Sequence, residues 1–292
     1  MEVDREDGRT ATMLRPLACS RSVLNRAHGS ASWSQGDTKV LAAVFGPKAG
    51  TKKTENPEKA SIEVIWKPKT GQIGKLEREY EMILKRTLQS ICILTINPNT
   101  TTSVIIQKAY DALHLISEFQ PPSAPSISMQ LLSHPHSPAL VQHLRKSCCK
   151  FILCVYLQVV NDDGALLPCA INAACAALVD AGISLKHLAV AICCCLAETG
   201  CVILDPTKQE EQKMKAFVYL VFPNSVLSVQ VSVPTNAEPM EHGIITSVTH
   251  GAMSVEDYFY CLKSGRAATA KLSNFLRSRL QNRLPSDLLA DT

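Results

Sequence analysis

Three features that would assign a function class directly are absent from this 292-residue sequence. Its 12 cysteines include no CxxC pair and no cysteine–histidine spacing of the zinc-finger type, so no structural zinc site is expected. The first residues are acidic and polar, so we expect no secretory signal peptide. Asn172, Asp180 and Lys186 interrupt the most apolar stretch, which leaves no run of about 20 apolar residues for a membrane span. We therefore expect no membrane partner.

Aromatic and charged residues are also few, at 5% and 19%, whereas hydrophobic residues make up 46% of the chain. This composition indicates a globular protein rich in small and aliphatic residues. The formal net charge of +4 permits a nucleic-acid partner without requiring one. Cys193, Cys194 and Cys195 are consecutive in an apolar run, which is poor geometry for disulfides. We interpret the cysteines as small buried residues in a reducing compartment.

Hydrophobic periodicity predicts an alternation of strands and helices. The pattern around Gly36-Asp37 predicts a hairpin that leads into a strand over residues 38–45, and period two predicts a strand over 60–68. Apolar residues spaced by three and four, from Leu76 onward, predict a helix, and Ser254–Asp257 reads as the capping box of a long C-terminal helix. This order indicates an α/β or α+β domain with layered sheets and helices.

A segment rich in proline and histidine does not fit this order of elements. A long stretch of mixed character is evidence against a compact element, and removing it would join "TTSVIIQ" to "VVNDDG" as one strand and loop. We therefore predict an insertion that is disordered or arises from mis-splicing. The predicted boundaries are residues 1–107 and 159–284 for a single domain, 108–158 for the insertion and 285–292 for a C-terminal tail.

The stretch Asp162-Asp163-Gly164 precedes a helix of small residues. Such a layout suits a loop that holds an anion at a helix N-terminus, where free N–H groups and the helix dipole favour negative charge. The positions that would face the anion are Ala165, Leu166 and Leu167, which offer neither a cation nor a hydroxyl. The pattern therefore indicates a phosphate-binding loop that has lost the side chains needed to bind phosphate.

Four blocks of the chain resemble the signature blocks of the ribonuclease PH family, in the same order. They are "DGRTATMLRP" at 7–16, "GSASWSQGDTKVLAAVFGP" at 29–47, "INAACAALVDAG" at 171–182 and "VILDPTKQEE" at 202–211. The resemblance covers nearly the whole chain except 108–158 and the extreme C-terminus. It implies the ribonuclease PH fold, built from βαβ units related to ribosomal protein S5 domain 2, here with an atypical insertion.

The resemblance also implies where the chemistry of active members would lie. Active members hold phosphate with a Gly-Thr-Arg loop, and the matching positions, after Gly164, are Ala165-Leu166-Leu167. Leucine cannot supply the bidentate contact that arginine makes with phosphate. The family's two carboxylates, six residues apart, match Asp205 and Glu211, with Glu210 beside them. The resemblance makes these three the candidate catalytic residues, and Asp205 and Glu211 candidate Mg²⁺ ligands. A solvated charged loop is the alternative.

RNA contact in the family lies around the 60–68 strand and the helix that follows it. The basic residues of this segment are Lys67, Lys69, Lys75, Arg78, Lys85 and Arg86. Because glutamates interleave with them, an ordinary charged surface helix is the alternative. Trp33 and Trp66 could stack on RNA bases. Alternatively, both tryptophans are buried in the hydrophobic core.

The function implied is a non-catalytic or weakly active RNA-binding subunit of the hexameric ring of the RNA exosome. It would take part in 3′-to-5′ RNA processing and degradation, including rRNA maturation, in the nucleus, nucleolus and cytoplasm. Expected partners are RNA, other ribonuclease PH-type ring subunits and cap subunits.

Two alternatives remain open. One is a homodimeric phosphorolytic 3′-5′ exoribonuclease or metal-dependent nuclease that uses Asp205, Glu210 and Glu211 with Lys75, and only such an enzyme would need inorganic phosphate and Mg²⁺. The other is a protein-interaction module whose basic surface contacts only protein partners. The missing arginine at Leu167 favours the ring subunit over the enzyme.

Overall fold

The computed structural model describes residues 5–46, 48–49, 60–67, 73–94, 100–107, 152–224 and 243–281. Within these ranges the chain forms eleven strands and four helices. The strands are β1 (Leu17–Arg21), β2 (Gly29–Gln35), β3 (Thr38–Phe45), β4 (Lys48–Ala49), β5 (Ser61–Lys67), β6 (Thr100–Gln107), β7 (Ile152–Asn161), β8 (Ala189–Leu196), β9 (Val202–Leu204), β10 (Ala216–Pro223) and β11 (Thr246–Gly251). The helices are α1 (Lys75–Ile91), α2 (Leu166–Asp180), α3 (Lys208–Lys213) and α4 (Val255–Gln281).

The first sheet has seven strands in the order β1-β2-β3-β7-β5-β6-β4. The predicted hairpin is confirmed, since β2 and β3 are antiparallel, Gln35 pairs with Thr38, and Gly36 adopts a φ of +57° in the turn. Glycine suits this position because it enters the left-handed region without a Cβ penalty. The strand predicted over 60–68 is β5, and β6 and β7 both run parallel to it.

The strand β7 begins earlier than the sequence predicts. Its first residues, 152–158, fall within the predicted insertion, and the sequence pattern places the start of the strand at Val159 as a continuation of β6. Instead β6 and β7 are separate parallel strands, with Val104 paired to Val155. Both also pair with Val64 of β5 at the same register. The remainder of the predicted insertion lies outside the described residues, as does the predicted tail.

The second sheet has the order β11-β10-β8-β9, and α2 packs between the two sheets. All thirteen α2 residues from Leu166 to Leu178 are buried. Alanine and cysteine dominate this helix because it contacts strands of both sheets and leaves little room for large side chains. The buried Asn172 side chain donates to the Ala191 carbonyl (3.0 Å) and accepts from the Ala191 N–H (2.8 Å), which ties α2 to β8.

The amphipathic helix predicted from Leu76 onward is α1, with one correction. The periodicity places Leu76 on the apolar face, but it is 52% exposed, because the buried face begins one turn later at Tyr80. A second correction concerns the charged stretch after residue 205, which the sequence predicts to be a loop. It contains α3, which begins with a capping box formed by Thr207 and Glu210. The Ser254–Asp257 capping contact at the start of α4 is confirmed.

Candidate functional site

The predicted anion loop joins β7 to α2. Ala165 is the N-cap of α2 in the left-handed conformation (φ 49°, ψ 36°), and Gly164 before it has a φ of +85°. A Cβ on Gly164 would lie 2.7 Å from the Lys208 N and the Pro206 carbonyl oxygen. The loop backbone is therefore in direct contact with the segment that starts α3. Leu167 is fully buried in the core, and its side chain is not at the loop surface.

Asp205 follows β9 and pairs with a buried arginine. Its side chain is 0% exposed, and its two oxygens accept hydrogen bonds from the Arg15 backbone N–H (2.8 Å), Nε (3.0 Å) and Nη2 (2.7 Å). Arg15 also donates to the Asp163 carbonyl at 2.6 Å, so it joins the end of β9 to the anion loop. Asp205 and Arg15 thus connect the end of β9 to the anion loop and stabilise the site.

Glu210 is held by a second arginine from the N-terminal segment. Arg5 donates to its two carboxylate oxygens from Nε (2.8 Å) and Nη2 (2.7 Å), and Thr207 N–H donates at 2.8 Å. Burial by itself would raise the pKa of Glu210, but the hydrogen bonds from Arg5 and Thr207 leave this pKa below its usual value. Arg5 also donates to the Asp205 carbonyl at 3.0 Å. Two of the three predicted catalytic carboxylates are therefore partners of arginines.

Glu211 points at the anion loop itself. Its Oε1 accepts the backbone N–H of Ala165 at 2.7 Å. Burial raises the pKa of Glu211, and the negative charge of Asp162 adds to this rise, while the Ala165 hydrogen bond lowers it. The neighbouring Lys208 donates to Asp162 at 2.7 Å. A carboxylate of the chain therefore occupies the N-terminus of α2.

The two residues proposed as Mg²⁺ ligands do not form an open coordination site. Mg²⁺ needs carboxylate oxygens that face water, because it keeps several waters in its octahedral shell. Asp205 is fully buried with both oxygens bonded to Arg15, and Glu211 is directed at Ala165. In the described part of the chain, no group of three or more histidine, cysteine, aspartate or glutamate side chains has a metal-binding arrangement. The donor set therefore does not fit a resident Mg²⁺.

The predicted RNA-binding residues of α1 lie on one exposed face. At about 100° per residue, the exposed positions Lys75, Arg78, Lys85 and Arg86 fall within about 100° of the helix circumference. Glu77 lies away from this stripe and accepts the Gly74 N–H at 2.9 Å. Glu79 and Glu81 border the stripe, about 20° from Arg86 and about 40° from Lys85 on the helix, and Glu81 also accepts the Trp66 N–H at 3.4 Å. We call these four exposed basic residues the α1 basic stripe. Lys67 ends β5, and Lys69 lies outside the described residues.

The buried face of α1, opposite the α1 basic stripe, lies near the carboxylates of the anion loop. Tyr80, on the buried face of α1, donates to or accepts from the Tyr219 hydroxyl at 3.1 Å. Burial raises the pKa of Tyr80 to about 12, and the charges of Glu211 and Asp162 contribute to the rise. Trp33 and Trp66 are core residues at 1% and 0% exposure, so neither is available to stack on a base.

Sequence reasoning assigns no role to the arginines that organise this site. Arg5, Arg9 and Arg15 precede β1, and Arg9 lies 3.8 Å from Asp205 through Nη1. The block at 7–16 that carries the family resemblance contains Arg9 and Arg15, and this is the one signal that could have pointed to them. Their partners are about 190 to 205 positions away in the sequence, and local patterns do not reveal such pairs.

No helix in the described ranges is both long enough and apolar enough to cross a membrane. Nine of the cysteines in the described ranges are free thiols, and seven of these nine are buried.

Comparison with known proteins agrees with the architecture. A family model for RNase PH, described as the 3′ exoribonuclease family, domain 1, matches residues 13–138 and 118–184. The "Exosome complex exonuclease RRP46 homolog" of Arabidopsis thaliana is 62% identical over 283 residues, covering 96% of this chain and 97% of the relative. The homolog of the same description from Oryza sativa is 53% identical over 289 residues, covering 99% of this chain and 100% of the relative.

Solved structures show the same fold. The crystal structure of rice Rrp46 is 50% identical and matches with a TM-score of 0.70, covering 95% of this chain and 100% of that chain. A chain of the Archaeoglobus fulgidus exosome matches with a TM-score of 0.63 at 15% identity, covering 93% and 92%. The expected ribonuclease PH fold, a mixed α/β architecture, is confirmed. The chain belongs to the ribonuclease PH family of 3′ exoribonucleases.

Proposed function

We propose that this protein is an RNA-binding subunit of the exosome ring that takes part in 3′-to-5′ RNA processing, including rRNA maturation, with little or no phosphorolysis of its own. The observation that carries the proposal is the α1 basic stripe: its four cations are exposed together while the glutamates of α1 flank them or bond backbone groups. Such a stripe tracks phosphates without reading sequence. The names of the close relatives, exosome complex exonuclease homologs, support the assignment to an exosome.

The weak or absent catalysis follows from the contacts at the anion loop. Leu167 is buried and supplies no cation. Asp205 and Glu210 accept hydrogen bonds from arginines, and Glu211 accepts one from the Ala165 N–H. None of these four side chains offers a positive group to an attacking phosphate, which needs charge-assisted donors. The proposed partners are RNA, other ring subunits of this family and cap subunits. The proposed location is the nucleus and nucleolus, with a cytoplasmic pool, where an RNA-processing ring would meet its substrates.

The stripe is tested by measuring the binding of the full chain to a fluorescently labelled single-stranded RNA at several salt concentrations. We expect affinity to fall steeply between about 50 and 200 mM salt, because each lysine or arginine at a phosphate releases counterions. The triple variant Lys75→Ala, Arg78→Ala, Arg86→Ala should bind more weakly and with a shallower salt slope. For a single strand, the slope should fall by roughly 0.7 for each phosphate that the variant no longer neutralises.

The matched control removes three positive charges from other surfaces. Lys263, Lys271 and Arg279 are exposed and lie on α4. Changing all three to alanine alters the net charge equally, and we expect the salt slope to stay near that of the unmodified protein. Equal losses of affinity in the two triple variants would show that binding depends on total charge, and the RNA path along α1 would then be wrong.

A further inference from the structure

We propose that the Glu211 carboxylate serves as the protein's own anion at the N-terminus of α2 and thereby keeps inorganic phosphate out of the loop formed by residues 163–165. The inference rests on the proposed function, in which this loop does not carry out phosphorolysis. The inference identifies the group that excludes phosphate from the loop, and it gives Glu211 a role other than catalysis or metal binding. Glu211 is then a positioning residue that closes the site.

The first step is the contact itself. Backbone N–H groups at a helix N-terminus attract anions because they lack helical partners and carry the positive end of the dipole. Here the Ala165 N–H has a partner at 2.7 Å, the Glu211 Oε1, and Ala165 has no side chain that could cap the helix. The carboxylate therefore takes a donor that an external oxyanion would use.

The second step is space. A Cβ on Gly164 would approach the backbone of residues 206–208 to 2.7 Å, so the loop and the start of α3 are in contact along their backbones. This contact positions α3, and α3 carries Glu211 on its fourth residue. The short helix thus holds the carboxylate against the loop, and an oxyanion that bonds the Ala165 N–H must displace it.

The third step is charge. The cations beside the loop already have carboxylate partners: Arg15 donates to Asp205 at 2.7 Å and contacts Asp163 at 3.4 Å, and Lys208 donates to Asp162 at 2.7 Å. A second anion beside Glu211 would meet like charge without a new cation to offset it. Removing the Glu211 carboxylate takes away the competing group and one negative charge together.

The test compares melting temperatures of the full chain in sodium phosphate and in sodium chloride at equal ionic strength. We expect the unmodified protein to show only the small, non-saturating rise that phosphate gives as an excluded salt. Glu211→Ala should show an additional, saturable rise of about 2–4 °C, since a ligand that binds only the folded state raises its stability. Glu211→Gln is the matched comparison, because its amide oxygen can still accept the Ala165 hydrogen bond but carries no charge, and its rise in phosphate should be smaller than that of Glu211→Ala.

Hydrogen exchange of the Ala165 amide in the unmodified protein decides the question even if Glu211→Ala does not fold. We expect the same slow exchange with and without phosphate. Three results would overturn the inference: phosphate-dependent slowing of that exchange, no phosphate response in folded Glu211→Ala, or Mg²⁺-dependent stabilisation of the unmodified protein that Glu211→Ala abolishes. RNA affinity should not change in Glu211→Ala, so a failure of this inference and a failure of the α1 basic stripe are distinguishable.

Discussion

At the scale of single residues, two ion pairs beside the anion loop have the same length and opposite environments. Arg15–Asp205 and Lys208–Asp162 are both 2.7 Å apart. The first pair is 5% and 0% exposed, whereas Lys208 is 50% exposed. Solvent screens the exposed pair, but a buried charge that loses its partner has no water to replace it. The difference in burial therefore decides which pair matters for stability.

We expect Asp205→Asn to lower the free energy of unfolding by about 3–5 kcal/mol, because the buried Arg15 guanidinium loses its buried counter-charge and keeps only the partly exposed Asp163 carboxylate, 3.4 Å away. Lys208→Ala is the matched control and should cost less than about 1 kcal/mol. Urea denaturation of both variants measures the two values. Similar small losses of stability would mean that Asp205 is not the anchor of Arg15 and is free for another role.

At the scale of secondary-structure elements, β6 and β7 share their partners. Val104 of β6 and Val155 of β7 both pair with Val64, and both strands pair antiparallel with β3. Their sequences match as well, since residues 104–107 read VIIQ and 155–158 read VYLQ. Each strand has two edges that can form hydrogen bonds, and β2 occupies one edge of β3. The other edge of β3 can therefore pair along its full length with β6 or with β7, but not with both.

This equivalence predicts that either strand alone completes the sheet. A deletion of residues 108–158, which joins β6 to Val159, should fold cooperatively and with a melting temperature at least equal to that of the full chain. A deletion of 101–151, which keeps β7 instead, should also fold. Removing residues 101–158 leaves the position empty and should prevent folding. Circular dichroism during thermal unfolding compares the three proteins, and a lower melting temperature in both single deletions would show that β6 and β7 are each integral.

The sequence predicts most elements of the sheets and helices but few partners within the site. The hairpin around Gly36, the face of α1 from Tyr80 onward and the α4 capping box depend on neighbours within a few positions, which periodicity reveals directly. The carboxylates Asp205 and Glu211 are named from the family resemblance. Their arginine and amide partners cannot be predicted from the sequence. These contacts form only when the fold brings β9, α2 and the N-terminal segment together.

At the scale of the whole molecule, the anion loop is continuous with the core between the two sheets. Leu167 lies two residues beyond the N-cap of α2, and it is 0% exposed in the cluster that α2 forms with strands of both sheets. A change at this position therefore acts on the packing of the whole domain as well as on the loop. Restoring the family's arginine here is not a local repair.

We accordingly expect Leu167→Arg to destabilise the protein by several kcal/mol and to leave phosphate-dependent release of nucleoside diphosphates from RNA undetectable. The physical reason is that an arginine at a fully buried position has no partner for its charge, while Glu211 still holds the Ala165 N–H. Leu167→Met keeps the volume and should cost less than about 1.5 kcal/mol. Urea denaturation and a release assay in phosphate and in chloride measure both effects. If Leu167→Arg keeps its stability and gains phosphate-dependent release, the side chain at 167 reaches the loop surface, and the absence of this arginine alone separates the protein from an active exoribonuclease.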